Sequence, residues 1–229
     1  MMFVDKKKEE LFNHLKELVT QARFNNYVKN INQRTRYLTV VLEDIYQPHN
    51  ASAVLRTCDC FGIQDVHIIE NKNEYIINPD VALGSSKWLN LSNYNSKKNN
   101  SPEVVAGLRK KGYRIVATTP HTDGVKLEDF DISKGKIAIF LGNEKDGLSD
   151  YIINEADEYL KIPMYGFTES FNISVSAAII LHHLSYKLRS SKIQWPLSPE
   201  EKSEILFSWL RDNIKKVELI EKKFYEKYR

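Results

Sequence analysis

An α/β fold, a mostly parallel sheet with helices on both faces, is predicted by three observations on this sequence. Apolar, β-branched runs at residues 37–43, 65–70, 113–118, 136–142 and 159–162 are nearly continuous, as strands covered on both faces are. Stretches with helical spacing at 51–61, 102–111, 149–156 and 173–188 alternate with them, the pattern of crossover connections. The 229 residues, 42% hydrophobic and 28% charged, suffice for a full core without disulfides or metal.

The elements follow in order. Leu11, Leu15, Leu18, Val19 and Ala22 recur at helical spacing, with Lys16 and Arg23 among the other positions, so residues 6–28 read as one amphipathic helix. Arg34 and Arg36 lead into the first strand. On the helix after it, Cys58 and Cys60 are two residues apart and face different ways, which disfavours a bridge and suits a reducing cytosol. After the last strand and helix, Ser198, Pro199 and Glu201 spell a helix start, with a capping box and a proline at the first helical position. The apolar residues that follow, Ile205, Leu206, Trp209, Ile214 and Val217, need a surface to dock on. Lys215, Lys216, Lys222, Lys223, Lys227 and Arg229 make that end basic.

The net charge of +3 conceals an asymmetry. Residues 1–36 carry 8 Lys and Arg against 4 acids, and residues 186–229 carry 11 against 7, which leaves the middle acidic. Basic ends suit a polyanion and also suit ordinary solvated helices. Motifs exclude more: there is no GxGxxG after a strand, no P-loop, no CxxC pair and no HExxH, which disfavours dinucleotide and zinc chemistry. No apolar run approaches 18 residues and no signal-peptide pattern follows Met1, so the expected setting is cytoplasmic, with neither membrane nor metal.

Ligands of parallel sheets bind at the carboxyl ends of strands, which directs attention to the loops at 43–50, 118–124, 142–147 and 163–172. Three segments in or beside those loops stand out. The first is Pro48-His49-Asn50 through Arg56 to Gly62, in which Asn50 is expected to begin the helix. Arg56 there could pair with Asp59 or grip a phosphate. The second is Leu141-Gly142-Asn143-Glu144-Lys145-Asp146-Gly147-Leu148, a glycine-flanked loop that is either a plain turn or a close approach to a ligand. The third runs from Ile162-Pro163-Met164-Tyr165-Gly166 to Ser170-Phe171-Asn172-Ile173-Ser174-Val175, where Ser170 or Asn172 could cap the next helix or serve a site.

In this order the segments resemble the three motifs of the SpoU family of RNA ribose 2′-O-methyltransferases, within the SPOUT superfamily. Residues 34–43 and Gly84-Ser85-Ser86-Lys87-Trp88 look most like its TrmH branch, which methylates guanosine 18 of transfer RNA. The similarity spans residues 34 to 188. It implies a C-terminal trefoil knot, a homodimer, S-adenosyl-L-methionine as methyl donor and transfer RNA as substrate. It further implies a methyltransferase domain at 37–188 between basic helical extensions at 1–36 and 189–229. Carried over by position, Arg56, Asn50, Glu144, Ser170 and Asn172 are the catalytic candidates. Thr118, Leu141, Gly142, Asn143, Ile162, Met164 and Phe171 are the donor-binding candidates. Arg23, Lys29, Arg34, Arg36, Lys87, Lys187 and Arg189 are the RNA-binding candidates. One departure stands out: the Arg-x-Arg pair of the branch, on the helix after the third motif, is replaced by Tyr186 and Leu188. His182 and His183 on that helix read as surface or packing residues. Two further readings stay open, a ribosomal RNA methyltransferase of the same chemistry and a non-catalytic RNA-binding protein on the same scaffold.

Overall fold

The computed structural model describes residues 3, 5–76, 78–120 and 123–226; Met1, Lys227 and Arg229, mentioned above, lie outside these. The chain divides into two compact units, Thr35–Trp195 and a second one built from both ends, Met1–Arg34 with Pro196–Arg229.

In the terminal unit the expected single helix over 6–28 is two, α1 (Lys6–Glu17) and α2 (Gln21–Ile31). The sequence signal for the break is Thr20, whose side chain accepts from the Arg23 N–H and starts a second helix. The unit's C-terminal helices are interrupted likewise. The predicted capping box at Ser198 and Glu201 is present, but the helix it starts stops at Asn213, and another begins at Val217 after Lys216 adopts a positive φ of 57°. Phe12 packs against Phe24 between the two N-terminal helices, and Tyr27, edge-on to Trp209, ties the two chain ends together.

The central unit carries a seven-stranded sheet in which every strand pair is parallel. It runs β1 (Leu38–Glu43), α3 (Pro48–Phe61), β2 (Asp65–Ile69), α4 (Pro79–Ala82), β3 (Asn90–Tyr94), α5 (Ser101–Lys110), β4 (Tyr113–Thr118), β5 (Val125–Lys126), β6 (Lys136–Leu141), α6 (Asp150–Glu155), β7 (Glu158–Lys161) and α7 (Ile173–Arg189). In the sheet the order is β3-β2-β1-β6-β4-β7-β5, so the two last strands fill places between earlier ones. The five expected strands form close to their predicted limits. β3 and β5 escaped prediction because β3 is half polar (Asn90, Ser92, Asn93) and β5 is two residues long. Both are edge strands, where apolar covering is incomplete.

Residue alternation sends the two faces of the sheet into two cores. Leu38, Val40 and Leu42 of β1 and Ile137, Ile139 and Leu141 of β6 pack with Val54, Leu55, Ile180 and Leu184 of α3 and α7. Val41, Ala138 and Phe140 turn the other way, onto Val104, Val105 and Leu108 of α5 and Ile152 of α6. Burying a Leu or Val side chain in this way contributes ~1.5–3 kcal/mol each. Among the described residues, no helix is long and apolar enough to cross a membrane.

Candidate active site

Because all strands run the same way, the carboxyl ends of β1, β4, β6 and β7 open on one side, where a cavity of about 690 Å³ lies. That is a usual volume for a small-molecule site. Its walls include Thr118 from the end of β4, Leu141, Gly142, Asn143 and Glu144 leaving β6, and Ile162, Met164, Ser170, Phe171 and Asn172 between β7 and α7. All the residues proposed from sequence to hold the donor are thus in one lining, with three of the catalytic candidates.

The loop after β6 is shaped by glycine. A Cβ on Gly142 would stand 2.2 Å from the Gly147 carbonyl carbon and 2.3 Å from the Leu148 nitrogen, so the chain closes on itself only without a side chain there. Gly147 sits at φ 72°, the left-handed region that glycine enters freely. Asn143 and Gly147 then exchange two backbone hydrogen bonds of 2.9 Å, closing a small ring. The Asn143 side chain braces the ring from inside, its Oδ1 accepting from the Lys145 N–H at 2.8 Å. Thr118 donates its hydroxyl to the Phe140 carbonyl at 2.7 Å, fixing the opposite wall.

Asn50, outside the lining, joins the three motifs. Its amide donates to Glu144 Oε1 at 2.6 Å and to Gln47 Oε1 at 3.0 Å, while its Oδ1 accepts from the Asn172 amide at 3.2 Å. Asn50 does not begin its helix as expected. Proline at the first helical position moves the start to Pro48, with Gln47 as the cap, and places Asn50 a residue pair inside, 3% exposed. Asn172 caps α7 through the Ser174 N–H at 2.9 Å, as expected, and its amide reaches Asn50.

Arg56 lies elsewhere. It is six residues past Asn50 on α3, a rotation of about 240°, and its side chain is exposed and outside the lining. The RNA candidates divide as well. Lys29 and Lys87 are exposed, and Arg23 is exposed with one hydrogen bond to Asn213. Arg34 is only 4% exposed, with its guanidinium 5.4 Å from the centre of the Trp209 ring, a buried place unlike the open one that an RNA contact needs. Arg36 pairs with Asp65 at 2.9 Å. Lys187 donates to the Phe130 carbonyl at 2.7 Å, and Arg189 to the Phe61 carbonyl at 3.2 Å while it lies over Trp195; burial lowers the pKa of Arg189. Tyr186 is 71% exposed and Leu188 is in the core.

Sequence reasoning missed Gln47, Thr119, Pro120, Lys145 and Lys161 of the lining. Gln47, Thr119, Pro120 and Lys145 lie in the loops singled out from sequence without being chosen there, and the only signal for Lys161 was adjacency to Ile162. It also missed Glu43 and Asp44, whose acidic pair at the end of an apolar strand was a visible anomaly.

The chain matches the model of the SpoU rRNA Methylase family over residues 37–182. It is 44% identical to the tRNA (guanosine(18)-2′-O)-methyltransferase of Borreliella burgdorferi, over 90% of this chain and 93% of that one. It is 33% identical to the enzyme of the same name from Thermus thermophilus, over 84% and 97%. Among solved structures, the Aquifex aeolicus TrmH/SpoU tRNA modifying enzyme superposes with a TM-score of 0.75 at 29% identity, over 85% of this chain and 98% of that one. Motifs, sheet and relatives agree, and the chain belongs to the SpoU methylase family.

Proposed function

We propose that this protein transfers a methyl group from S-adenosyl-L-methionine to the ribose 2′-hydroxyl of guanosine 18 in transfer RNA, acting in the cytoplasm as a homodimer. The observation that carries this reading is the hydrogen-bonded line Glu144–Asn50–Asn172 at a cavity walled by the second and third motifs. The lining suits the donor: apolar Leu141, Ile162 and Phe171 offer a place for an adenine, and the glycine-closed loop lets backbone groups approach a ligand.

The bound donor supplies a sulfonium methyl with a good leaving group, so the protein has only to position a hydroxyl in line and accept its proton. Held by this lining, the donor would give up its methyl group to the 2′-oxygen and keep the C–S electron pair as a neutral thioether, which leaves the hydroxyl proton for the protein and the RNA to dispose of. Ser170 and Asn172 orient the ribose, and Glu144 holds Asn50 in register. Arg56 has a different task. A guanidinium stays protonated in proteins, so Arg56 grips the neighbouring phosphate and stabilises the alkoxide character of the 2′-oxygen while the proton passes toward that phosphate. Since Arg56 is exposed and outside the lining of its own chain's cavity, it serves the site of the second subunit. The trefoil knot of the family, with the late strands threaded among earlier ones, belongs to this reading.

Ribose-methylation mapping of transfer RNA and ribosomal RNA fragments incubated with the purified protein and donor tests it. The expected result is one methylated ribose, at guanosine 18, absent when that nucleotide is 2′-deoxy. Methylation of ribosomal RNA alone, or transfer RNA bound without methylation, would establish one of the rival readings. Arg56→Ala is expected to lower turnover by about a hundredfold or more with donor affinity unchanged in calorimetry.

A further inference from the structure

Glu43 ends β1 and Asp44 follows it, and neither belongs to the catalytic set above. Glu43 is 1% exposed, and its partners are neutral: the Ser149 N–H at 2.9 Å, the Ser149 hydroxyl at 2.8 Å and the Ser101 hydroxyl at 2.6 Å. A buried carboxylate is costly unless its lone pairs are satisfied, and these donors satisfy it at a defined spot. Ser149 is also the cap of α6, so Glu43 fixes the exit of the loop that follows β6.

Asp44 holds the entrance of the same loop. It is 9% exposed and adopts φ 53°, a left-handed conformation that L residues seldom enter without a local hydrogen bond. Its Oδ1 accepts from the backbone N–H groups of Asn71 and Lys72 at 2.7 Å each and of Asn73 at 3.4 Å, which holds it there. That conformation aims the Asp44 carbonyl at two side-chain amides, Asn73 at 2.8 Å and Asn143 at 2.7 Å. Asn143 is the residue whose other side-chain atom braces the loop from inside.

We propose that Glu43 and Asp44 form a two-point clamp that sets the shape of the 143–149 loop for the methyl donor, as positioning residues that act through Ser149 and Asn143. The clamp goes beyond the proposed reaction but rests on its assignment of the cavity to the donor. A loop pinned at both ends loses little freedom on binding, so the clamp acts on donor affinity.

The test uses the full chain with Asp44→Gly, Asp44→Asn, Glu43→Ala and Glu43→Gln. Glycine removes the acceptor without strain at positive φ, and asparagine keeps an Oδ1 acceptor; glutamine likewise keeps an acceptor for the Ser149 N–H while its amide can donate to the serine hydroxyls. The donor dissociation constant and its KM are expected to rise about tenfold in Asp44→Gly and Glu43→Ala, with kcat at saturating donor and the KM for RNA near wild type. Asp44→Asn and Glu43→Gln should restore donor binding to within about threefold. Hydrogen exchange in the protein without donor gives a second readout: the Asn143 and Gly147 amides should exchange at least tenfold faster in Asp44→Gly, while Ile139 in β6 is unchanged. Unaltered loop exchange and donor affinity, or a loss equal in the Asn and Gln variants, overturns the clamp. If the wild-type protein does not bind the donor, the assignment of the cavity fails, and the exchange experiment still decides whether the clamp shapes the loop.

Discussion

At the scale of single residues, the site depends on contacts that a one-atom change would break. Gly142→Ala places a methyl group well inside van der Waals contact distance of Gly147 and Leu148 backbone atoms, which no rotamer change relieves. The expected result is donor affinity reduced at least tenfold while the protein still folds, measured by calorimetry beside circular dichroism. Such residues were legible from sequence because the family pattern marks them, and the glycine pair had a physical reading of its own. Asn50 was legible as a residue but not as a link. Its partners Glu144 and Asn172 stand 94 and 122 positions away in the chain, and no local periodicity encodes which distant side chain a buried amide will meet. Arg34 shows the opposite failure. A basic residue in a basic segment reads as surface, yet its flat guanidinium also stacks on an indole, and here it lies over Trp209.

At the scale of elements, apolar periodicity predicted the buried strands and major helices and failed where polarity or brevity hid an edge strand. It also fused helices at Thr20 and at Lys216, since a cap or a single positive φ interrupts a helix without disturbing the apolar stripe. On the edge pair β2 and β3, His67 is buried with Nδ1 2.9 Å from the Tyr94 hydroxyl, and burial pushes its pKa down to about 4. The unfolded chain binds this proton near pH 6.5 and the folded chain does not. Stability from neutral His67 is therefore full above pH 6.5 and is lost as pH falls toward 4, by about 3 kcal/mol over that window. Urea unfolding of wild type and His67→Gln from pH 7 to 4 checks this, with a flatter profile expected for the variant. The capping box that opens the Pro199–Asn213 helix gives a second test at this scale: Ser198→Ala should cost ~1 kcal/mol, read as a lower urea midpoint.

At the scale of the whole molecule, the exposed position of Arg56 makes subunit exchange informative. In the proposed homodimer, mixing inactive Arg56→Ala with inactive Glu144→Ala, then allowing subunits to exchange, should restore roughly a quarter of wild-type activity, because half the dimers would be mixed and each would regain one of two symmetric sites. A mixture that stays inactive would place Arg56 and Glu144 of the same chain in one site. The expected RNA contacts of the exposed Lys29 and Lys87 have their own test: Lys29→Ala and Lys87→Ala should each lower the slope of log affinity against log salt by roughly 0.7–0.9 if each touches one phosphate.

The strand order carries a consequence for biosynthesis. A ribosome that has delivered β1 to β5 has produced three separate pieces, the strip β3-β2-β1 and the lone strands β4 and β5, since β6 is the strand that joins β1 to β4, and β7 the one that joins β4 to β5. Until residue 161 has left the exit tunnel, the nascent polypeptide has neither a continuous sheet nor a pocket. Completion of this sheet therefore waits for its last strand, and a message cut short before that codon lacks both the joining strand and the wall of the pocket that follows it.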